Sequence, residues 1–514
     1  MKPIRLMSGF LTVGMWTMLS RVLGFVRDAM ILAYLGTGPL YEAYVVAFRL
    51  PNMFRRFFAE GAFNMAFVPM FSKKLEADED AQGFAQDAFS GLASVLILLT
   101  LIAQLVMPWL IYALASGFAG QEQFGLSVEF GRIAFPYIVF ISLAALLSGV
   151  LNATGRFAAA AAAPVMLNVL LVGGMAFAAS TGGNISRALI WMIPFAGVAQ
   201  LVLVWFAAAR AGFVLRLSLP RWTPELSRLV RLAVPAALAG GVVQINLLVG
   251  QQVASYFDKA VGWLYAADRL YQLPLGVVGI AVGIVLLPDL SRRLAANDDE
   301  GGRDAVSRAA EIALALTIPA AVALVVVPLP LVSVLFERGA TTADDSASIA
   351  IAVAIYGLGL PAFVLQKVLQ PLYFAREDTV TPFRYAVVAM VLNAAIAIAL
   401  APIIGWIAPA IATTVAGWAM VVLLNFGARK MGPVAKFDAR FHKRIWRIIA
   451  AALLMGGLLW FASAILLGPF LGMTGWRYLA LLGLISIGIL SYFLLGKMLG
   501  AFRLSDLKGA FRRG

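Results

Sequence analysis

Of the 514 residues, 62% are hydrophobic and 13% are charged, with a mean hydropathy of +0.91. Globular domains carry about 25% charged residues, so a water-soluble fold is excluded. A net charge of +14 would suggest nucleic acid in a soluble protein, but here the enrichment of Lys and Arg in inner loops accounts for it. The chain has no cysteine, which excludes disulfides and thiolate chemistry. Its one histidine, His442, sits in the basic run KFDARFHKR, which argues against a transition-metal site.

The chain starts MKPIRLMSGFLTVGMWTMLS, with the basic lead of a signal peptide but no A-x-A-like cleavage site. The apolar pattern continues through Arg21 toward Leu35, so this stretch reads as a retained first helix. Fourteen hydrophobic segments then follow one another: 8–35, 39–71, 86–114, 130–151, 161–180, 187–209, 228–256, 262–289, 305–336, 346–373, 383–401, 406–428, 445–467 and 476–498. Each is near or above the ~20 residues needed to span a bilayer. The sequence predicts an all-α polytopic membrane protein with 14 transmembrane helices.

The connections test that count. With the N-terminus inside, the odd ones face out: 36–38, 115–129, 181–186, 257–261, 337–345, 402–405 and 468–475. They and the adjoining helix ends carry 5 Lys/Arg, against 28 on the inner side and 7 within the spans. This bias places both termini in the cytoplasm. A missed or false helix would reverse the bias from that point on, and no reversal occurs.

A repeat is also legible. Val68–Leu75 matches Leu287–Leu294 at an offset of 219, and Leu147–Pro164 aligns with Leu365–Pro382 at 218. One period holds six helices. An even number gives both halves the same orientation, so the expected pseudo-twofold axis runs along the membrane normal, as in transporters built from parallel repeats. The expected division is 1–209 for helices 1–6, 210–428 for helices 7–12, and 429–514 for two appended helices and a cytoplasmic tail. Loops 72–85 and 290–304 hold corresponding places in the two halves.

Charges concentrate where they cost most. Between Ser20 and Gly61 lie Arg21, Arg27, Arg49, Arg55 and Arg56, with Asp28, Glu42 and Glu60, amid Leu, Phe, Val and Ala. An arginine near mid-bilayer costs about 2.5–3.5 kcal/mol on insertion scales, so such residues usually line an interior cavity. Arg21, Gly24 and Asp28 fall on one face of the first helix, with Arg27 about 120° away. A bend at Gly24 or Gly36 would bring both arginines to one cavity. In the second segment Arg49, Arg56 and Glu60 share a face, Arg56 and Glu60 can pair at i, i+4, and Arg55 lies about 100° off.

The eighth segment carries Asp268 and Arg269 at nearly the position that Arg49 holds in the first half, so both halves offer cations at one level. Asp28 and Asp268, as immediate neighbours of Arg27 and Arg269, are expected to face elsewhere. Lys367 is a weaker candidate. Arginine suits bidentate contact with phosphate, and a diphosphate would need about two or three such partners on desolvation. The competing reading pairs these arginines internally or lets them snorkel to the interface.

The blocks SRVLGFVRD (20–28), FRLPNMFRRFFAEGAFNMAFVP (48–69), ADRLYQLPLGVVGIAVGIVLLP (267–288) and REDTVTP (376–382) resemble the MurJ, or MviN, family of bacterial lipid II flippases, within the multidrug/oligosaccharidyl-lipid/polysaccharide exporter superfamily. The resemblance covers essentially the whole chain. It implies two six-helix lobes around a central cavity, plus two C-terminal helices forming a groove for a polyprenyl tail. It assigns substrate binding to Arg21, Arg27, Asp28, Arg55 and Arg269, with Arg49, Arg56, Glu60 and Asp268 as supporting cavity charges. Glu42 and Arg49 stand where relatives carry Asp and Lys, which keeps the charge. Gln272 replaces a glutamate, so no acidic role is carried there.

The implied activity is transport without catalysis: lipid II passes from the inner to the outer leaflet of the cytoplasmic membrane by alternating access. No cofactor is implied, and coupling to the membrane potential or to a monovalent cation stays open. The implied partners are lipid II and membrane lipids, with cell-wall synthesis enzymes as further candidates, no nucleic acid, and a monomeric chain. A flippase for another polyprenyl-diphosphate-linked saccharide, of O-antigen type, is the alternative that physics separates least. A cation exporter would need an acidic cavity, and a polyprenyl-phosphate transferase would need paired carboxylates with a divalent metal.

Overall fold

The computed structural model describes residues 6–55, 62–466, 468–471, 473 and 475–501, and every regular element among them is helical. Helix α1, Leu6–Leu35, contains no proline and stops at Gly36, whose φ of +64° an L side chain rarely adopts. Helix α2, Pro39–Arg55, starts on a proline and places Glu42 in its first turn and Arg55 in its last, both favourable to the helix dipole. Helices α3, Ala62–Glu76, and α4, Ala81–Leu114, follow; Asp80 caps α4 by accepting from the Gly83 N–H.

Helices α5, Glu122–Ala134, and α6, Tyr137–Ala153, are separated at Pro136, which lacks the N–H that would continue the ladder. Then come α7, Ala158–Thr181, α8, Ile185–Arg210, and α9, Pro224–Ala254, the last capped by Thr223. Helix α10, Ala260–Ala295, precedes α11, Asp299–Val326, and α12, Pro328–Phe336, which are parted at Pro328. A capping box of Thr342 and Asp345 opens α13, Ala343–Phe374. The rest are α14, Val380–Ile404, α15, Ala408–Ala428, α16, Ala439–Phe461, the short α17, Gly468–Leu471, and α18, Arg477–Met498.

The fourteen hydrophobic segments coincide with these helices. Two of them, 130–151 and 305–336, are each built from two helices, and 39–71 holds α2 and α3 on either side of residues that lie outside those described. Nine stretches of the described residues are long and apolar enough to cross a membrane. Leu105 is 80% exposed and Trp109 75%, on a helix whose other face is packed, as a lipid-facing surface requires.

By contacts the chain forms two compact units. One holds residues up to Gly262 together with the tetrapeptide Arg338–Thr341; the other holds Trp263–Glu337 and the chain from Thr342 on. Helix α9 packs on α3 and α4, so contacts group it with α1–α8.

Within each unit, contacts between connections join those of the same parity. In the first unit the odd connections meet. Ala340 N donates to Ala33 O at 2.8 Å, Val261 N to Glu42 Oε1 at 3.2 Å, and Gly117 N to Ser255 Oγ at 3.0 Å. The even ones meet as Lys74 with Glu225 at 3.8 Å, Arg216 N with Gln86 Oε1 at 2.9 Å, and Arg156 with Arg210 O at 3.1 Å. In the second unit Trp263 bonds Asp345 at 3.1 Å and Arg477 donates to Glu337 O at 3.1 Å on the odd face. Arg303 donates to Lys436 O at 3.0 Å and Arg447 to Gly500 O at 3.2 Å on the even face. Such pairing requires an even number of crossings between the connections that meet, as the alternating loop assignment predicts.

The tetrapeptide closes α1 from outside its own sequence. Ala340 N and Thr341 Oγ1 donate to Ala33 O and Leu32 O, both at 2.8 Å, two of the last carbonyls of α1. The approach is glycine-dependent on both sides. A Cβ on Gly36 would lie 2.7 Å from Ala340 O, and one on Gly339, at φ +60°, would lie 2.1 Å from Ala33 O.

The repeat is visible in loop geometry. Asp78 and Asn297, 219 residues apart, are both left-handed, at φ 53° and 57°. Each is followed by a capping aspartate, Asp80 or Asp298, that accepts from a glycine N–H, Gly83 or Gly301. The second match needs a correction. Its turns hold Gly155 at φ +75° and Glu377 at φ +60°, and Arg156 N bonds Leu151 O as Asp378 N bonds Tyr373 O. These equivalences fall at 222, not 218. A slip of about one helical turn keeps apolar residues on apolar positions, so the sequence alignment tolerated it.

Candidate functional site

In the first unit Arg27 of α1 meets α7 and carries Asp28 with it. Arg27 and Asp28 are both buried, 8% exposed. Arg27 donates from Nε and Nη2 to Asp28 Oδ1 at 2.9 and 2.7 Å, and from Nη1 to Asn168 Oδ1 at 2.9 Å. Asn168, also buried, donates from Nδ2 to Ser20 O at 2.9 Å. This overturns the expectation that Asp28 faces away from Arg27. Adjacent Cβ atoms on a helix do diverge by about 100°, but the arginine stem is long enough to fold the guanidinium back. Gly24 lies inside the helix rather than at a break. Helix α1 runs through it, and its bare Cα faces the Asn168 amide, where a Cβ would lie 3.6 Å away. Gly36 ends the helix rather than bending it.

Arg21 is half-buried on α1, about 9 Å along the axis from Arg27 at 1.5 Å per residue. Arg49 and Arg55 are half-buried on α2. Arg56 and Glu60 lie outside the described residues. Glu42, fully buried, accepts from Val261 N at the start of α10 and bonds Gln123. It serves the backbone of the odd face rather than an arginine.

In the second unit Arg269 lies over the Tyr265 ring, with its guanidinium carbon 4.3 Å from the centroid. This i, i+4 cation–π contact holds the guanidinium against the ring face. Asp268 is engaged by Gln272, one turn on. Tyr271 packs on Tyr356 and Phe363, with centroids 5.0 and 5.6 Å apart. Lys367 is exposed.

The second unit also holds an apolar cavity of about 270 Å³, walled by α11, α16 and α18 through Pro319, Ala323, Met455, Leu459, Ile485 and Tyr492. Its two ends are clipped by polar contacts. On the odd face Arg477, opening α18, donates to Glu337 O at 3.1 Å. On the even face the buried Glu311 of α11 pairs with Arg308, with Arg444, and with Arg440 at 3.5 Å. Asp438, which caps α16, pairs with Arg308.

Sequence reasoning missed Asn168 and Tyr265. Asn168 had a signal: it is a lone amide in the apolar run AAAAAAPVMLNVLLVGG, and intramembrane polar residues need partners. Tyr265 had one in its position, four residues before Arg269.

An all-helical membrane fold with a buried arginine in one unit and a ring-stacked arginine in the other is the architecture of a class of membrane transporter. A solved multidrug-resistance MATE-family transporter of the MOP superfamily, inward-facing, shares this fold. It has a TM-score of 0.70 at 14% identity, covering 82% of this chain and 96% of its own. The family is narrower. The sequence profile of the lipid II flippase MurJ family matches residues 31–480, and the chain belongs to that family. A Rhizobium tropici protein named "Probable lipid II flippase MurJ" is 41% identical, over 99% of this chain and 97% of its own. The lipid II flippase MurJ of Burkholderia cenocepacia is 34% identical, over 89% and 90%. A solved lipid II flippase MurJ in an inward closed conformation is 25% identical, with a TM-score of 0.79, covering 95% of this chain and 98% of its own. The chain is thus an integral membrane protein of the lipid II flippase family.

Proposed function

We propose that this chain carries lipid II, the undecaprenyl-diphosphate-linked peptidoglycan precursor, from the inner to the outer leaflet of the bacterial cytoplasmic membrane. Both termini are cytoplasmic, the chain acts as a monomer, and the mechanism is alternating access without covalent chemistry. The observation that carries this reading is family membership over nearly the whole chain, joined to an arginine on a long apolar helix in each unit, Arg27 on α1 and Arg269 on α10.

Arg21, Arg27, Arg55 and Arg269 take the diphosphate, with Asp28 holding Arg27. Arg49, Arg56, Glu60 and Asp268 set the surrounding charge. The division into 1–209, 210–428 and 429–514 supplies two rocking lobes and an appendage whose apolar cavity receives the polyprenyl tail. An inside-negative potential resets the emptied cationic cavity, at about 2.3 kcal/mol per charge per 100 mV.

Complementation of a flippase-depleted strain tests the reading. Arg27→Ala and Arg269→Ala should reach the membrane at native levels yet fail to support growth. Growth with either variant would remove its arginine from the substrate site. The lipid diphosphate that co-purifies, identified by native mass spectrometry, separates lipid II from an O-antigen-type carrier. Collapse of the potential in proteoliposomes should slow translocation, and an unchanged rate would refute the coupling.

A further inference from the structure

Asn168 is buried between Arg27 and the Ser20 carbonyl, and its amide can be seated in one orientation only. Arginine donates and never accepts, so the guanidinium of Arg27 must face Asn168 Oδ1. The Ser20 carbonyl accepts and never donates, so it must face Nδ2. The side chain therefore ties Arg27 of α1 to the α1 backbone seven residues earlier, through α7. The tie is buried, so its bonds are not shared with bulk water.

The chemical identity of the tie matters. Asp28 already offsets one positive charge at Arg27. Counting formal charges, Arg21, Arg27 and Asp28 together carry +1. A second carboxylate would bring that to zero and would compete with any anion for the same guanidinium. A neutral amide gives the orientation and leaves the charge. We propose that Asn168 is a positioning residue for the diphosphate site: it fixes the guanidinium of Arg27 through a neutral acceptor, so that one side of the charge balance stays positive. This rests on the reading that Arg27 meets the lipid headgroup.

The test is lipid II binding to purified full-length variants, followed by native mass spectrometry titration. Asn168→Asp should bind lipid II at least about tenfold more weakly, since its carboxylate would take a charge-assisted contact of the guanidinium away from the diphosphate. Asn168→Leu, of similar size but with no acceptor, should lose about threefold or more by loosening Arg27 without changing its charge. The double variant Asp28→Asn/Asn168→Asp moves the carboxylate from α1 to α7 and restores the formal charge. It should recover affinity to within about threefold of native, which a merely structural role would not do.

Native-like binding by Asn168→Asp and Asn168→Leu, with binding abolished in Arg27→Ala, would overturn the positioning role and leave the site reading intact. Native-like binding by Arg27→Ala would sink the site reading itself, and the inference with it. Should Asn168→Asp fail to accumulate in membranes, the double variant decides alone: recovery supports the proposal, and a persistent tenfold loss overturns it.

Discussion

Gly339→Ala separates the cost of a left-handed backbone from the cost of a blocked contact. The backbone term is about 1–2 kcal/mol for placing an L side chain in this region. Gly120, at φ +81° with nothing within 4 Å of its would-be Cβ, isolates that term as Gly120→Ala. At Gly339 the new methyl would lie 2.1 Å from the backbone oxygen of Ala33. Restoring even a tight contact moves the loop by about 1 Å, which stretches both 2.8 Å bonds to α1 beyond useful range. At about 0.5–1.5 kcal/mol each, their loss adds roughly 2 kcal/mol to the backbone term. Amide hydrogen exchange reads such local opening directly. Relative to the native chain, exchange at Ala340 in Gly339→Ala should therefore rise about thirtyfold more than exchange at Gln121, beside the other site, rises in Gly120→Ala, using 1.4 kcal/mol per tenfold. If the two accelerations agree within a factor of about three, the trans-cap does not hold the loop, and the reasoning fails.

Three further outcomes follow from the second unit. Glu311→Gln should lower stability by about 2–3 kcal/mol, less than the ~3–5 kcal/mol of a fully buried pair, because Arg440 is 45% exposed. An unshifted melting curve in detergent would show the cluster to be ornamental. For Asp438, burial raises its pKa, but the Phe441 N–H and the Arg308 guanidinium outweigh that and hold the carboxyl below its ordinary 3.8. A depressed folded value means stability that is present above the unfolded pKa and lost as pH falls through the folded one. The gap between the native chain and Asp438→Asn should thus shrink below pH 3.8; a gap constant from neutral pH into that range contradicts the assignment. Ala320→Phe, which projects into the apolar cavity, should slow translocation in proteoliposomes without loss of headgroup binding. An unchanged rate would take the tail out of that cavity.

How much of this was legible depends on the length scale of the signal. Helix ends were written locally, in Gly36, in the capping residues Asp80, Asn184, Thr223, Thr342 and Asp438, and in the left-handed pair Asp78 and Asn297. Loop parity was written in charge, and the same-parity contacts agree with it. The register of the second repeat was not recoverable, because apolar helices look alike when shifted by about one turn. The pairing of Arg27 with Asp28 was missed because Cβ directions were weighed and side-chain length was not. Asn168 escaped because its partner lies 141 residues away in sequence, on a different helix.

The two clips on α16 and α18 bear on how this architecture can be shortened. Glu311, on α11, belongs to the body of the second unit, but Arg440 and Arg444, two of the guanidiniums around it, come from the chain beyond residue 428. A truncation there would strip a carboxylate in a greasy setting of most of its counter-charge, and would bare Val327 and its neighbours at the same time. The final pair of helices therefore cannot be shed by simple deletion. A functional shorter form would have to rewrite Glu311 and Arg308 in the same step.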